Sequence, residues 1–310
     1  MKIAFVFPGQ GSQAVGMLDS FDGDAAVAGV LQEASAALGQ DLGALIKAGP
    51  AEELSLTVNT QPVMLTAGTA IYRAWRAAGG IEPVVVAGHS LGEYTALTAA
   101  GALSLADAVK LVRFRAQAMQ DAVPVGQGGM AAILGLTDEQ VSQACVEAAA
   151  GEMVEPVNFN APSQVVIAGH ASAVARACEV AKRLGAKRAL PLPVSAPFHS
   201  SLLRPASERL RGYLAGLQLS PPSIPLVNNV DVAIESEPGR IVDALARQAA
   251  SPVRWVETIR KMESDGVTHV VECGPGRVLA GLTKRIAPTL ESIAIADADS
   301  LRDALARLTA

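Results

Sequence analysis

Residues 84–100 constrain this chain more than any other stretch. Val84-Val85-Val86-Ala87-Gly88 is a short β-branched run, and it leads straight into His89-Ser90-Leu91-Gly92. Glu93 to Ala100 then reads as the start of a helix. A strand, a sharp turn and a helix in that order make a nucleophile elbow, with Ser90 at its tip. Such a turn crowds the backbone beside the serine, and glycines without a Cβ relieve the clash. The following helix aims free N–H groups and its positive end toward the place where an oxyanion would form. A lone Gly-x-Ser-x-Gly is common by chance. Here the strand before it and the helix after it supply the context that favours a catalytic serine over an ordinary strand–helix turn.

The rest of the composition excludes several classes. With 310 residues the chain can build a large core or two unequal domains. Half of the residues are hydrophobic and mean hydropathy is +0.31. The apolar runs are nevertheless broken well short of the roughly 18 residues of a membrane span. The opening Met1-Lys2-Ile3-Ala4-Phe5-Val6-Phe7-Pro8 is too short for a signal segment and reads as a first strand. Cys145, Cys178 and Cys273 lie far apart with no Cys-x-x-Cys spacing. That pattern predicts a reduced, cytoplasmic protein with no disulfide and no metal site. A net charge of −5 argues against a nucleic-acid partner.

Strand-like and helical stretches alternate, which predicts an α/β layer architecture. Lys2–Phe7 and Val84–Gly88 are expected core strands of a parallel sheet, with helices over Ala25–Leu38 and Gln61–Ala78. Ser104 is a suitable N-cap for a helix to about Met119. From 126 to 196 the order becomes β-α-β-β-α-β, opened by Met130–Leu136 and a Thr137–Gln140 capping box. The predicted fold class is therefore α/β: a large α/β-hydrolase-like subdomain with a parallel sheet over 1–125 and 197–310, and a small ferredoxin-like subdomain inserted at 126–196. Helix over Leu202–Leu217 and strands at Ile224–Val227, Thr268–Glu272 and Ser292–Ile295 should follow.

A serine hydroxyl needs a base. Four histidines are available. His89 adjoins Ser90, and neighbouring side chains on a tight turn diverge. His170 reads as a turn or surface residue, and His269 as a structural residue in an alternating strand. His199, in Ala196-Pro197-Phe198-His199-Ser200, sits where the inserted unit rejoins the large one, a place where clefts form. It is the expected base. No triad acid stands out. Asp107, Asp121 and Asp138 read as helix-start or surface acids, and a carbonyl could orient the imidazole instead; the residues alone leave that choice open.

Several segments coincide with one family: Phe5-Val6-Phe7-Pro8-Gly9-Gln10-Gly11-Ser12-Gln13, Asn59-Thr60-Gln61-Pro62, Gly88-His89-Ser90-Leu91-Gly92-Glu93-Tyr94, Val157-Asn158-Phe159-Asn160, Ala196-Pro197-Phe198-His199-Ser200 and Gly274-Pro275-Gly276. The chain resembles the malonyl-CoA:acyl carrier protein transacylases of type II fatty-acid synthesis, from residue 2 to about residue 290 in the family's order. The resemblance implies that Ser90 carries the malonyl group as an ester and that His199 is the general base. It implies an oxyanion hole from the main-chain N–H groups of Gln10 and Leu91, and a main-chain carbonyl at Gln248 that orients the histidine. It assigns Arg115 to the substrate carboxylate and places Gln61, Asn160 and Phe198 at the substrate site, with Phe198 narrowing the acyl pocket.

It also implies no bound cofactor, ping-pong kinetics, and malonyl-CoA and a phosphopantetheinylated acyl carrier protein as substrates; with no coiled-coil or evident interface pattern in the sequence, a monomer is expected. Carrier proteins of that pathway are acidic, so a local basic patch is expected among Lys182, Arg183, Lys187, Arg188, Lys284 and Arg285. Each of these could equally be a solvated surface charge. Rival readings are a serine thioesterase, an acyltransferase of polyketide synthesis or malonate metabolism, and a catalytically dead scaffold.

Overall fold

The first strand divides the core in two. In the computed structural model, which describes residues 1–308, β1 (Ile3–Phe7) is buried along its length. Its side chains alternate, as a strand's must. Ile3, Phe5 and Phe7 enter one hydrophobic cluster, while Ala4 and Val6 enter another with Trp255, Ile259 and Leu282.

After β1 come α1 (Ala25–Leu38), α2 (Leu42–Ala48), α3 (Ala51–Ser55) and α4 (Thr57–Ala77), then β2 (Val85–Gly88), α5 (Gly92–Ala99) and α6 (Leu105–Asp121). The middle segment holds β3 (Gly128–Leu134), α7 (Asp138–Ala148), β4 (Val154–Ala161), β5 (Gln164–His170), α8 (Ala171–Arg183) and β6 (Arg188–Pro191). The chain continues through α9 (Arg204–Leu214), β7 (Leu226–Val227), α10 (Pro238–Gln248), α11 (Trp255–Ser264), β8 (His269–Cys273), α12 (Val278–Ile286), β9 (Glu291–Ile295) and α13 (Ala298–Leu308).

The fold is mixed α/β with two separate sheets. One is wholly parallel, in the order β7-β2-β1-β8-β9. The other is antiparallel, in the order β4-β5-β3-β6. Helices cover the parallel sheet, so its strands are apolar on both faces. The carboxyl ends of β1, β2, β7 and β8 run into Pro8-Gly9-Gln10, His89-Ser90, Asn228-Asn229 and Gly274-Pro275-Gly276. Open parallel sheets place ligands at that edge. On the antiparallel sheet, α7 and α8 pack over Ala131, Ile133, Val165 and Ile167. The antiparallel sheet is tied to the rest of the chain by a bridge between Asn158 and Val253 and by Glu155, which accepts from the Ser201 N–H and hydroxyl, both at 2.8 Å.

Where an element was expected, the structure differs mainly at its ends; α2, α3, α10, α11 and α13 were not anticipated. Ser104 accepts the Asp107 N–H as an N-cap, and the Thr137–Gln140 capping box forms. α4 begins a turn before the expected Gln61 and runs through Pro62. Pro62 has no N–H to give, but so near the N-terminus only one helix bond is lost. The last strand of the insert stops at Pro191; prolines at 191 and 193 cannot donate to a ladder.

Candidate active site

Ser90 sits at the tip of the β2–α5 turn with φ 53°, in the left-handed region. L-residues other than glycine pay for that conformation, and it persists only where surroundings enforce it. The surroundings are two glycines. A Cβ on Gly88 would lie 1.9 Å from the Gly92 carbonyl carbon, and one on Gly92 would lie 2.0 Å from the Phe7 oxygen. The chain therefore turns hard against β1. The Leu91 N–H opens α5, and no hydrogen-bond partner holds it or the Gln10 N–H among the described residues. Gln10 is tethered by its side chain, whose amide donates to Thr57 Oγ1 at 3.2 Å.

His199 reaches the serine from the loop after the antiparallel sheet. It too has positive φ, at 67°, in a tight turn closed by Ser200 Oγ donating to the Pro197 carbonyl at 2.8 Å. Its Nε2 lies 2.6 Å from Ser90 Oγ, and its Nδ1 lies 2.9 Å from the Gln248 carbonyl oxygen. That carbonyl can only accept, so Nδ1 must carry the proton and Nε2 is left to accept from the serine hydroxyl. Gln248 is the last residue of α10. Carbonyls in a helix's final turn lack intrahelical partners, which frees this one for the imidazole. Burial, and next the nearby Arg115 cation, push His199 down to about 3. It is held neutral, the form a base needs.

Arg115 is buried to 2 % exposure on the inner face of α6. Its guanidinium donates to Gln61 Oε1 at 2.9 Å, Gln248 Oε1 at 2.9 Å and Ser90 Oγ at 3.1 Å. It also lies over the Tyr94 ring, 5.2 Å from the centroid. Every one of these acceptors is neutral, its Nε has no partner, and no ion pair engages it among the described residues. A buried cation without a carboxylate is costly, and a site that keeps one is ready to receive an anion. Arg113, two residues earlier, points elsewhere and donates to Gln40.

Asn160 stands on β4 with Oδ1 at 2.8 Å from His89 Nε2. His89 is half-buried, its ring in edge contact with Trp255, and desolvation lowers its pKa. It faces away from Ser90 Oγ, in line with divergence on the turn. Phe198 is half-buried and packs against both the main core and the small cluster of Met130, Val157, Val166 and Ala168. His170 bonds the Met153 N–H through Nδ1, and His269 meets Glu291, both far from the elbow.

The sequence reading passes over two residues and half of a third. Glu93, within the elbow motif, is buried, and desolvation pushes its carboxyl up to about 7. Asn229, after β7, accepts the Ser90 N–H at 2.8 Å and donates to the Gly88 carbonyl at 2.7 Å, latching both sides of the elbow. Gln248 acts through its side chain as well as its carbonyl, donating to the Ser90 oxygen at 2.9 Å and Glu93 Oε2 at 2.8 Å. The Gly-Glu pair after the serine was a signal for Glu93; nothing marks Asn229. A surface cleft of about 550 Å³ among Arg277, Lys284 and Arg307 contains none of these residues, so volume does not locate this site.

Residues 4–301 match the family model described as acyl transferase domain. The chain belongs to this family. It is 53% identical over 305 residues to the malonyl CoA-acyl carrier protein transacylase of Escherichia coli K12, covering 98% of this chain and 99% of that one. A crystal structure of the acyl-carrier-protein S-malonyltransferase of Burkholderia pseudomallei 1710b superposes with a TM-score of 0.97 at 65% identity, covering 99% of this chain and 100% of that one. A malonyl-transacylase in complex with its type II polyketide synthase acyl-carrier protein superposes with a TM-score of 0.98 at 50% identity, covering 99% and 100%. Ser90, His199, Arg115 and Gln248 all fall inside the stretch matched by the family model. No described helix is long and apolar enough to cross a membrane.

Proposed function

We propose that this protein transfers the malonyl group from malonyl-CoA to the phosphopantetheine thiol of an acyl carrier protein, by way of a malonyl ester on Ser90. The unpaired guanidinium of Arg115, buried 3.1 Å from the Ser90 hydroxyl, carries the reading. Malonyl has a carboxylate where acetyl has a methyl hydrogen, and a planar guanidinium grips a carboxylate bidentately.

Ser90 Oγ attacks the thioester carbonyl while its proton passes to His199 Nε2. The developing oxyanion meets the free N–H of Leu91 at the N-terminus of α5 and that of Gln10 in the loop after β1. The carbon–sulfur bond then breaks, and the imidazolium returns the proton to the departing CoA thiolate. In the second half, the carrier thiol gives its proton to His199 and attacks the ester, and Ser90 leaves with that proton. The Gln248 carbonyl holds the imidazole in the right tautomer, so no acid is required. Gln61 and the Gln248 side chain hold Arg115. Phe198 and Asn160, both near where the two sheets meet, border the acyl and pantetheine path. Release of free thiol between half-reactions makes the kinetics ping-pong.

The same reading gives the chain two units: 1–125 with 197–310 as an α/β-hydrolase-like subdomain, and 126–196 as a ferredoxin-like insert. The antiparallel order β4-β5-β3-β6 supports the second. For carrier docking, Lys182 and Arg183 are tied to Glu179 and Glu147. Exposed Lys187, Arg188 and Lys284 are better placed to meet an acidic partner. The protein works as a cytoplasmic monomer in this reading, with no bound cofactor.

Incubation with radiolabelled malonyl-CoA tests the proposal. Label should appear as an ester on Ser90, move to carrier protein, and vanish in Ser90→Ala. Rapid release of malonate without transfer would make the protein a thioesterase instead. Because one relative was solved with a polyketide carrier, fatty-acid and polyketide carriers should be offered side by side.

A further inference from the structure

Three buried groups meet behind the serine without touching the space in front of it. Glu93 Oε2 accepts from Gln248 Nε2 at 2.8 Å and from the Asn229 N–H at 3.1 Å. The same Gln248 nitrogen donates to the Ser90 carbonyl at 2.9 Å. Both partners of that nitrogen are pure acceptors, so the amide is fixed one way round. Its oxygen is thereby turned to Arg115, which donates to it at 2.9 Å. Flipped, the amide would point its NH₂ at the guanidinium, donor against donor. Gln248, Glu93 and Arg115 are at most 2 % exposed, so water does not offer a substitute partner.

We propose that Glu93 is a positioning residue for malonyl selectivity: by accepting from Gln248, it locks that amide so that Arg115 is held with its remaining donors toward the acyl site. The inference rests on the transfer reading above. Glu93 touches neither the serine hydroxyl nor the imidazole. It acts as a hydrogen-bond acceptor at one oxygen, and protonation at Oε1 leaves Oε2 in that role. An ion pair placed directly on Arg115 would fill the face the substrate needs. The intervening amide keeps that face open.

The test separates acceptor from charge. Ser90 acylation rates are measured by mass spectrometry with malonyl-CoA and acetyl-CoA. Glu93→Ala should lower the malonyl:acetyl ratio at least about tenfold, the scale of one hydrogen bond to a charged group. Glu93→Gln retains an oxygen acceptor and should keep the ratio within about threefold of the parent. A folded Glu93→Ala protein with an unchanged ratio overturns the proposal. So does a Glu93→Gln protein as unselective as Glu93→Ala, since charge would then be what matters. If Glu93→Ala does not fold, Gln248→Met, which removes the amide and keeps the main-chain carbonyl, must show the same loss; an unchanged ratio there also overturns it. A parent enzyme that never acylates Ser90 would sink the transfer reading itself, a distinguishable result.

Discussion

The carboxyl edge of the parallel sheet and the antiparallel sheet beside it use polar groups in opposite ways. At the edge, Ser90 and His199 both hold positive φ, and Arg115, Gln248 and Glu93 are buried with hydrogen bonds in place of ion pairs. Across β3–β6 and their helices, charges face solvent as pairs such as Arg176–Glu152 and Arg183–Glu147, over an aliphatic core. The first region concentrates strain and a desolvated charge beside a histidine held neutral. The second spends its sequence on folding. The same type of substitution should thus cost rate in one region and little in the other.

The sharpest break is Ser90→Ala, which should lower acyl transfer by roughly 10⁴-fold or more with the fold intact; near-parental loading of malonyl would move the nucleophile elsewhere. Next is Arg115→Ala. Truncating one partner of a buried charge pair costs about 2–5 kcal/mol, so malonyl loading should fall by that amount relative to acetyl. Equal losses for both thioesters would deny Arg115 its carboxylate.

The glycines compare the two regions directly. Gly92→Ala places a Cβ 2.0 Å from the Phe7 oxygen and should cost more than about 3 kcal/mol in denaturant unfolding, beyond the usual range for single changes. Gly129→Ala on β3 meets nothing nearer than 3.5 Å and should cost no more than about 1 kcal/mol. Similar losses at both positions would erase the contrast.

Acidity gives a smaller effect. His199 at about 3 lies below the ordinary histidine value of about 6.5. A depressed pKa keeps the base neutral as pH falls, so kcat/KM should show no inflection near 6.5. Bound malonyl partly cancels the Arg115 charge that helps depress it, so the inflection in kcat should lie higher than that in kcat/KM. Coincident profiles would count against this coupling. Smallest is Thr137→Ala, which removes the α7 cap. It should cost about 1 kcal/mol of stability and leave malonyl transfer unchanged.

Much of this was legible beforehand because it is local. Strand alternation, the capping box and the elbow depend on neighbours within a few residues, and elimination among four histidines led to His199. Arg115 came only through the resemblance, although in the structure it continues the buried series of Ala108, Leu111 and Val112 on α6. The helix α10 was not anticipated, although Ile241, Ala244 and Leu245 recur at helical spacing behind Pro238. Asn229 and the side chain of Gln248 left no such trace, because their partners lie 139 and 158 positions away from them, at Ser90.

The sequence by itself determined the strand–turn–helix that carries Ser90 and the alternating α/β pattern, since sterics at Gly88 and Gly92 and side-chain periodicity act over short range. The tertiary structure decided the rest. It set which carbonyl lies against His199, which neutral acceptors hold Arg115, and how the Gln248 amide links Arg115 to Glu93. Those outcomes depend on burial and on bonds between distant segments. Only packing fixes which donor meets which acceptor once water is excluded.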